Sequence, residues 1–339
     1  MTKQRILYLD VIRVMACCLI VLMHSPHPEA GNSGTLLVPL GFITAAGIGL
    51  FFMVSGALLL PVHADTSSFL KRRIGKIAGP LLFWTLLYVV VRMLVGELSM
   101  SDLPKLLFSI PFSAQGHGVL WFMYTLLGLY LLAPIISPFL AKASEKEQRF
   151  YLLLWALSLC YPFIALVLDV DRSVTGMLYY FTGYAGYFLL GYYLHAYKPR
   201  IPAVVIPFLF LVPLATLVAW YFLGGKKGDF YDLFWYLSLF VVMMCTAWFS
   251  GIRKMVESIK INDGRFIVAF SNACFGIYLM HILIMRYFLW KIDFIVYGLG
   301  GIGQIIMTWT FTLLISFLLT HLISYLPYAE YIIGYKQKR

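Results

Sequence analysis

The sequence predicts an all-α integral membrane protein, a polytopic bundle of about ten transmembrane helices with both termini cytoplasmic. Of its 339 residues, 61% are hydrophobic and only 12% are charged, which lies far outside the range of a soluble domain of this length. Apolar runs recur at the length of roughly 20 residues that a helix needs to cross the hydrocarbon core. The alternating pattern of an outer-membrane β-barrel is missing.

The apolar runs follow one another along the whole chain. We predict spans at Leu7–Met23, Leu40–Leu60, Ile77–Val95, Val119–Leu140, Tyr151–Leu168, Met177–Leu194, Ile201–Leu223, Phe230–Phe249, Phe266–Leu289 and Ile302–Leu326. The first run contains Asp10 and Arg13, and no small-residue cleavage pattern follows it. We therefore interpret it as a membrane helix and not as a cleavable signal peptide.

The distribution of positive charge tests this arrangement. With ten spans, 18 of the 26 Lys and Arg residues fall on the side of the termini and six on the opposite side. The positive-inside rule then places both termini in the cytoplasm. The formal net charge of +11 is explained by these cytoplasmic loops, so a nucleic-acid partner is not expected.

The organisation of the chain is simple. No linker, repeat or long loop divides it, and we predict a single membrane-embedded domain over residues 1–339 with no soluble accessory domain. The five cysteines lie within apolar runs and lack the spacing of a zinc site or a disulfide framework, so we expect no metal. The sequence leaves the oligomeric state open, a homo-oligomer included.

Three ionisable residues lie on the first predicted helix, where such groups are expensive and usually face protein or water. His24 follows Arg13 by eleven positions, which corresponds to a rotation of about 20° after whole turns and a rise of about 16 Å. Asp10 lies on the same stripe, three residues before Arg13. His24 suits a general base near neutral pH. The alternatives are that His24 is an interfacial histidine and that Arg13 is a structural partner of Asp10.

A second polar cluster precedes the third predicted span. Four cations occur within six residues, namely Lys71, Arg72, Arg73 and Lys76. Every membrane protein of this kind carries cytoplasmic cations as an orientation signal. The same cluster also suits phosphate binding, because arginine forms bidentate contacts with phosphate oxygens.

With these residues identified, the sequence resembles a known family, the membrane-bound acyltransferases of the acyltransferase-3 type, which O-acylate surface polysaccharides and related envelope glycans. The most specific similarity is the opening helix, in which ten residues separate Arg13 from His24. Further similar motifs follow in the family's order, at residues 49–56, 69–77, 120–124, 128–134, 183–193 and 275–281.

The resemblance implies an acyl-CoA-dependent O-acyltransferase of the bacterial inner membrane. The donor would be acetyl-CoA or another cytoplasmic acyl-CoA, and the acceptor a hydroxyl of a cell-envelope glycan or a lipid-linked sugar. His24 would act as general base with Asp10 and Arg13 in the catalytic group, while Arg72, Arg73, Lys76 and Arg13 would hold CoA phosphates. The short loops resemble the subgroup that modifies precursors such as enterobacterial common antigen.

The acceptor site is expected to be aromatic. The candidate residues are Trp121, Tyr124, Tyr130, Tyr184, Tyr278, His281 and His117, although membrane-belt or packing roles are common for single aromatics in a chain with 17% of them. Two positions depart from the family pattern. Lys76 stands where an arginine is usual, and His117 lies three residues before Leu120 instead of directly ahead of the motif.

A transporter or flippase of lipid-linked sugars is the main alternative, since ten helices with intramembrane charge also describe many carriers. We find no internal two-fold similarity with paired broken helices of the kind such carriers show. A non-catalytic scaffold would not explain an arginine and a histidine on one stripe. Direct acyl transfer and a covalent acyl-enzyme both remain open, as does the length of the acyl group.

Overall fold

The computed structural model describes residues 5–28, 33–112, 118–161, 164, 168, 176–224, 230, 233–259 and 264–337. No β-strand occurs within these ranges, and the all-α prediction is confirmed. The α-helices are α1 (Leu7–His24), α2 (Ser33–Thr44), α3 (Ala46–Leu59), α4 (Thr66–Leu94), α5 (Leu103–Ser109), α6 (Trp121–Lys142), α7 (Glu145–Ser158), α8 (Ala185–Ala196), α9 (Val205–Phe222), α10 (Leu239–Ser258), α11 (Arg265–Tyr287), α12 (Asp293–Val296), α13 (Gly301–Ile323) and α14 (Glu330–Ile333). Three 3₁₀-helices lie at Gly118–Leu120, Tyr179–Phe181 and Leu289–Lys291.

Eight of the ten predicted spans correspond to helices that are long and apolar enough to cross a bilayer. Within the described part of the chain these are Leu7–His24, Leu36–Leu59, Thr66–Leu94, Trp121–Lys142, Val205–Phe222, Leu239–Ser258, Arg265–Lys291 and Gly301–Ile323. The chain is therefore a multi-pass membrane protein. The cytoplasmic location of the termini remains a prediction.

The other two predicted spans, Tyr151–Leu168 and Met177–Leu194, do not correspond to long helices of the described residues. The prediction of one continuous helix over Met177–Leu194 is wrong, because α8 begins only at Ala185 and its 12 residues are about 18 Å long. A turn with a positive φ of 106° at Gly183 precedes it. Helix α7 covers only the start of Tyr151–Leu168, and much of the remainder of that span lies outside the described residues.

The predicted span Phe230–Phe249 is displaced along the chain. Helix α10 begins at Leu239 and runs to Ser258. Residues 230, 233 and 234 are helical, and a turn at residues 235–238, in which the Trp235 and Tyr236 rings lie 4.2 Å apart, separates them from α10. Arg253, assigned from sequence to a cytoplasmic loop, is therefore helical and buried, and it donates to the carbonyl oxygen of Leu194 at 2.6 Å.

The chain divides into two compact units. One contains Met1–Pro61 and Ser137–Ser271, and the other contains Val62–Ile136 and Asn272–Arg339. We refer to them as unit 1 and unit 2. The prediction of a single domain concerned sequence organisation, and it stays a prediction.

Close helix packing in unit 1 depends on glycines. A Cβ atom on Gly56 of α3 would lie 1.8 Å from the carbonyl oxygen of Phe188, and one on Gly191 of α8 would lie 2.0 Å from that of Met53. Helices α3 and α8 therefore approach each other backbone to backbone, as small residues allow within membranes. Gly47 plays a similar part, because its Cβ would lie 3.1 Å from Ile20 of α1.

Candidate active site

Helix α1 carries the first predicted site in unit 1. It is continuous from Leu7 to His24, so Arg13 and His24 do share one face and are separated by about 16 Å of helical rise. Asp10 is about 21 Å of rise from His24 on the same helix. The cation and the histidine thus mark opposite ends of one stripe and do not contact each other directly.

Asp10 is the centre of a buried polar network. Its carboxylate accepts two hydrogen bonds from the Arg5 guanidinium, at 2.7 and 2.9 Å, and a third from the Ser271 hydroxyl at 2.6 Å. Arg13 Nη1 lies 3.7 Å from the same carboxylate and donates to the Ser271 hydroxyl at 3.1 Å. Only 4% of Asp10 is exposed, and two cations and a hydroxyl compensate its burial.

This network includes residues that sequence reasoning missed. From the sequence, Arg5 contributes only to the positive charge on the side of the termini. No sequence pattern singles out Ser271 of α11. Ser271 is separated from Asp10 by 261 residues, so no local pattern connects them. The side chain of Arg13 is partly exposed, 28% accessible, beside the carboxylate of Asp10.

His24 is the last residue of α1 and is half-buried. The adjacent helix end is fixed by Ser25, whose hydroxyl donates to the carbonyl oxygen of Val21 at 2.8 Å. On the other side of His24 in sequence, Met23 Sδ accepts from the Tyr236 hydroxyl at 3.3 Å. Tyr187 in turn donates to the backbone oxygen of Tyr236 at 2.6 Å. The end of α1 is thus anchored beside buried tyrosines, which sequence reasoning had not assigned to the site.

The basic cluster lies in unit 2 on the first turns of α4. This helix begins at Thr66 with an Asp65 cap, whose carboxylate accepts from the Ser68 backbone N–H at 3.1 Å. Its 29 residues extend about 43 Å, so the cations precede the apolar stretch on the same helix. Arg72, Arg73 and Lys76 lie within an arc of about 100°.

The three cations are held differently. Arg72 Nε donates to the carbonyl oxygen of Ser68 at 3.1 Å, and the side chain is exposed. The Arg73 guanidinium lies 6.0 Å above the centre of the Phe69 ring, in a cation–π contact. Lys76 lines a cavity beside the C-terminal segment. The arc can therefore present several positive charges to a polyanion.

Most of the predicted aromatic residues lie in unit 2 and take part in packing. The Tyr278 hydroxyl donates to the backbone oxygen of Val119, and that of Tyr124 donates to Ile110 at 2.7 Å. His281 is fully buried, with Nδ1 2.6 Å from the carbonyl oxygen of Tyr278.

The remaining aromatic candidates are distributed over both units. The Trp121 ring lies 6.4 Å from that of Phe122 in unit 2. The Tyr130 ring is 6.5 Å from Phe69 in the same unit. Tyr184 belongs to unit 1, where its ring lies 5.1 Å from that of Phe52. His117 lies outside the described residues. A role for this set in sugar binding stays a prediction.

Comparison with known proteins gives the family. A family model described as an acyltransferase domain matches residues 6–328, nearly the whole chain. The chain therefore belongs to the acyltransferase-3 family, and the recognition made from its motifs is confirmed. Searches of curated proteins and of solved structures found no match. The chain is thus a multi-pass membrane acyltransferase, while its donor, its acceptor and its catalytic residues stay predictions.

Proposed function

We propose that this protein transfers an acyl group, most simply acetyl, from a cytoplasmic acyl-CoA to a hydroxyl of a cell-envelope glycan or lipid-linked sugar. The membership of nearly the whole chain in an acyltransferase family carries the proposal. The placement of Arg13 and His24 on one face of α1 supports it, as does the cationic arc of α4. The membrane is proposed to be the bacterial inner membrane.

The donor is held through its phosphates. Arg72, Arg73 and Lys76 supply up to three positive charges and the guanidinium donors that suit bidentate contacts with phosphate oxygens. Arg13 is a further candidate for an anionic group, because its side chain is partly exposed. Asp10 serves as a positioning residue in this scheme, since its carboxylate accepts hydrogen bonds from Arg5 and Ser271 and lies beside Arg13.

His24 is the proposed base. Its imidazole takes the proton of the acceptor hydroxyl as the oxygen attacks the thioester carbonyl carbon. The C–O bond forms, the C–S bond breaks, and the imidazolium returns the proton to the departing CoA thiolate. General-base assistance of this kind typically contributes 10²- to 10⁴-fold to the rate.

A direct test of the donor site is acetyl-CoA binding by purified protein in nanodiscs. The double variant Arg72→Ala/Arg73→Ala should weaken binding by at least tenfold, because two charge-assisted contacts are lost. The double variant Lys142→Ala/Lys146→Ala removes two exposed cations from other helices and is the matched control. If both double variants weakened acetyl-CoA binding equally, the loss would be an effect of net charge alone. That result would contradict the assignment of Arg72 and Arg73 to the donor site.

The rival reading is a carrier of lipid-linked sugars that performs no acyl transfer. It predicts transport of the sugar without consumption of any acyl-CoA. The family match favours the enzyme.

A further inference from the structure

A charged cluster in unit 2 lies where α4 and α11 end. The Glu97 carboxylate accepts from the Arg286 guanidinium at 3.0 Å and from the Tyr287 hydroxyl at 3.2 Å. Arg92 Nε lies 3.8 Å from the same carboxylate. We refer to Arg92, Glu97, Arg286 and Tyr287 as the Glu97 cluster. None of these residues belongs to the site described above.

The end of α4 fixes the backbone of Glu97 beside Arg92. Gly96 follows the C-cap of α4 with a positive φ of 76°, a conformation that glycine adopts without strain. Its N–H donates to the carbonyl oxygen of Met93 at 3.1 Å, and the Glu97 N–H donates to that of Arg92 at 2.8 Å. These two hydrogen bonds form a Schellman motif, which ends a helix at a left-handed glycine. The carboxylate is thus built into the end of the helix that carries Arg92.

The Glu97 cluster and the proposed donor cations lie at opposite ends of α4. Arg92 follows Lys76 by sixteen positions, which corresponds to a rise of about 24 Å. The residues between them carry no charge and belong to the apolar stretch of this helix. Under the proposed function, the donor is cytoplasmic and the acceptor lies at the opposite membrane surface. The Glu97 cluster is placed at that second surface.

The charged groups of the cluster are accessible from water. The accessible fractions of the side chains are 23% for Arg92, 31% for Glu97 and 51% for Arg286. Ion pairs with this exposure contribute little to stability, so a structural role explains the cluster poorly. Arg92 is also one of only six cations predicted for the side opposite to the termini, where the positive-inside rule depletes them.

The composition of the cluster suits a phosphate ligand. Two guanidinium groups and one carboxylate leave a net charge of +1. A guanidinium carries five N–H donors in one plane, more than a single carboxylate accepts, and its geometry matches phosphate oxygens. Where a helix leaves the hydrocarbon core, the neighbouring anionic groups are lipid phosphates.

We propose that the Glu97 cluster binds the diphosphate group of the lipid carrier to which the acceptor sugar is attached. Arg92 and Arg286 contact the phosphate oxygens, and Glu97 holds the two guanidinium groups at one place. This inference rests on the proposed function, because it assigns the phosphate part of the proposed lipid-linked acceptor. The phosphodiester of an ordinary phospholipid has related chemistry with less negative charge, and binding experiments separate the two.

The first test compares undecaprenyl diphosphate with undecaprenol, which has the same chain without phosphate. Binding of each to the purified full-length protein is measured by native mass spectrometry from detergent micelles. Wild type should bind the diphosphate at least tenfold more tightly than the alcohol. Arg92→Gln/Arg286→Gln should reduce this preference to within about twofold and leave the affinity for undecaprenol unchanged, a pattern that misfolding would not produce.

The matched control is the double variant Lys105→Gln/Lys291→Gln. Both residues are exposed cations of unit 2 that follow the ends of α4 and α11, and their loss lowers the net charge by the same amount. This variant should keep the preference for the diphosphate within about twofold of wild type. Equal losses in the two double variants would show a general charge effect and would overturn the inference.

Glu97→Gln should act in the opposite direction. It keeps both arginines and a side-chain oxygen that accepts hydrogen bonds, and it removes the negative charge of the cluster. Undecaprenyl diphosphate should bind as tightly as to wild type, or more tightly. A loss as large as that of the arginine double variant would show that the cluster acts only through the fold of the two helix ends, and the inference would fail.

Competition with phosphatidylglycerol identifies the source of the phosphate. A tenfold excess of phosphatidylglycerol over undecaprenyl diphosphate should displace less than half of the bound diphosphate. Complete displacement would assign the cluster to ordinary phospholipid headgroups and overturn the inference.

Two outcomes separate this inference from the proposed function. If acetyl-CoA is consumed while undecaprenyl diphosphate binds equally to wild type and to Arg92→Gln/Arg286→Gln, the assignment of the cluster fails and the proposed function stands. If undecaprenyl diphosphate binds as described but no acyl-CoA is consumed, the lipid-carrier site stands and the proposed function fails.

Discussion

Asp10 is a buried carboxylate whose loss should destabilise the protein. Its carboxylate accepts from Arg5 and Ser271 and lies beside Arg13, with only 4% of the residue exposed. Asp10→Ala would remove the acceptor of the hydrogen bonds from Arg5 and Ser271, together with the negative charge beside Arg13. We expect a loss of roughly 3–5 kcal/mol in the free energy of unfolding, measured by denaturant titration of the detergent-solubilised protein.

The control for Asp10 is an exposed ion pair. Glu257 lies 3.6 Å from Lys198 Nζ, and both side chains are about half exposed. Glu257→Gln should change the unfolding free energy by less than about 1 kcal/mol, as measured for surface pairs. A loss as large as that of Asp10→Ala would show that burial does not distinguish the two sites.

Single residues also show where sequence reasoning reached its limit. The relation between Arg13 and His24 could be predicted, because helical geometry fixes the angle between residues eleven apart. The contact of Ser271 could not, because 261 residues separate it from Asp10 and only the tertiary structure brings its hydroxyl to the carboxylate. The contact of Arg5 could not either, because Arg5 precedes α1 and helical geometry does not fix the direction of its side chain.

At the scale of elements, the close approach of α3 and α8 in unit 1 can be tested by adding a Cβ atom at either of its glycines. Gly56→Ala would place a Cβ 1.8 Å from a backbone oxygen, a clash that only backbone movement relieves. We expect destabilisation by about 1–3 kcal/mol or more, seen as a lower thermal midpoint and poor recovery in detergent. Gly191→Ala should behave alike.

The matched control for these glycines is Gly251→Ala in α10. Its Cβ would meet only Ile206, at an ordinary contact distance of 3.7 Å. Because alanine favours the helical state over glycine, this variant should be neutral or slightly stabilising. Destabilisation of the same size at Gly251 would show that a Cβ is harmful even without a close contact, and it would contradict the role assigned to the approach of α3 and α8.

The start of α7 makes a prediction about pH. Ser144 and Glu147 form a capping box, in which hydrogen bonds from Ser144 lower the pKa of the Glu147 carboxyl below its ordinary value. The resulting stabilisation is present above the ordinary glutamate pKa of about 4.3 and is lost as the pH falls through the lowered value. Ser144→Ala should lower the thermal midpoint at pH 7, and the difference from wild type should shrink below about pH 4.

Ser258→Ala is the comparison for the capping box. Ser258 is the last residue of α10, and its hydroxyl donates to the carbonyl oxygen of Met255 in the same helix. It therefore caps no helix N-terminus. Its effect should be small and independent of pH between 4 and 7. A pH-independent effect of Ser144→Ala would contradict the role assigned to the ionised Glu147.

At the scale of the whole molecule, the sequence predicts ten membrane crossings, whereas eight helices of the described residues are long and apolar enough to cross a bilayer. Composition and periodicity identified the all-α membrane class and eight spans correctly. Composition and periodicity could not show that a turn at Gly183 precedes α8, because the segment before α8 is as apolar as a membrane span. With ten crossings, Met177 lies on the side opposite to Lys146.

Cysteine labelling in intact cells tests this topology. In a background without the five native cysteines, Lys146→Cys should be reached only from the cytoplasm and Lys105→Cys only from outside. Met177→Cys should be labelled from outside if the one predicted span between Lys146 and Met177, Tyr151–Leu168, crosses the membrane. Labelling of Met177→Cys only from the cytoplasm would contradict ten crossings and leave eight.

The central claim concerns His24, and it is tested by release of CoA from acetyl-CoA in nanodiscs that contain native membrane lipids as a source of acceptor. His24→Ala should bind acetyl-CoA with wild-type affinity and lose about 10²- to 10⁴-fold in turnover, while His63→Ala, which removes an exposed loop histidine, should retain full turnover. Wild-type turnover in His24→Ala would contradict the account, as would a wild-type protein that neither binds nor consumes any acyl-CoA.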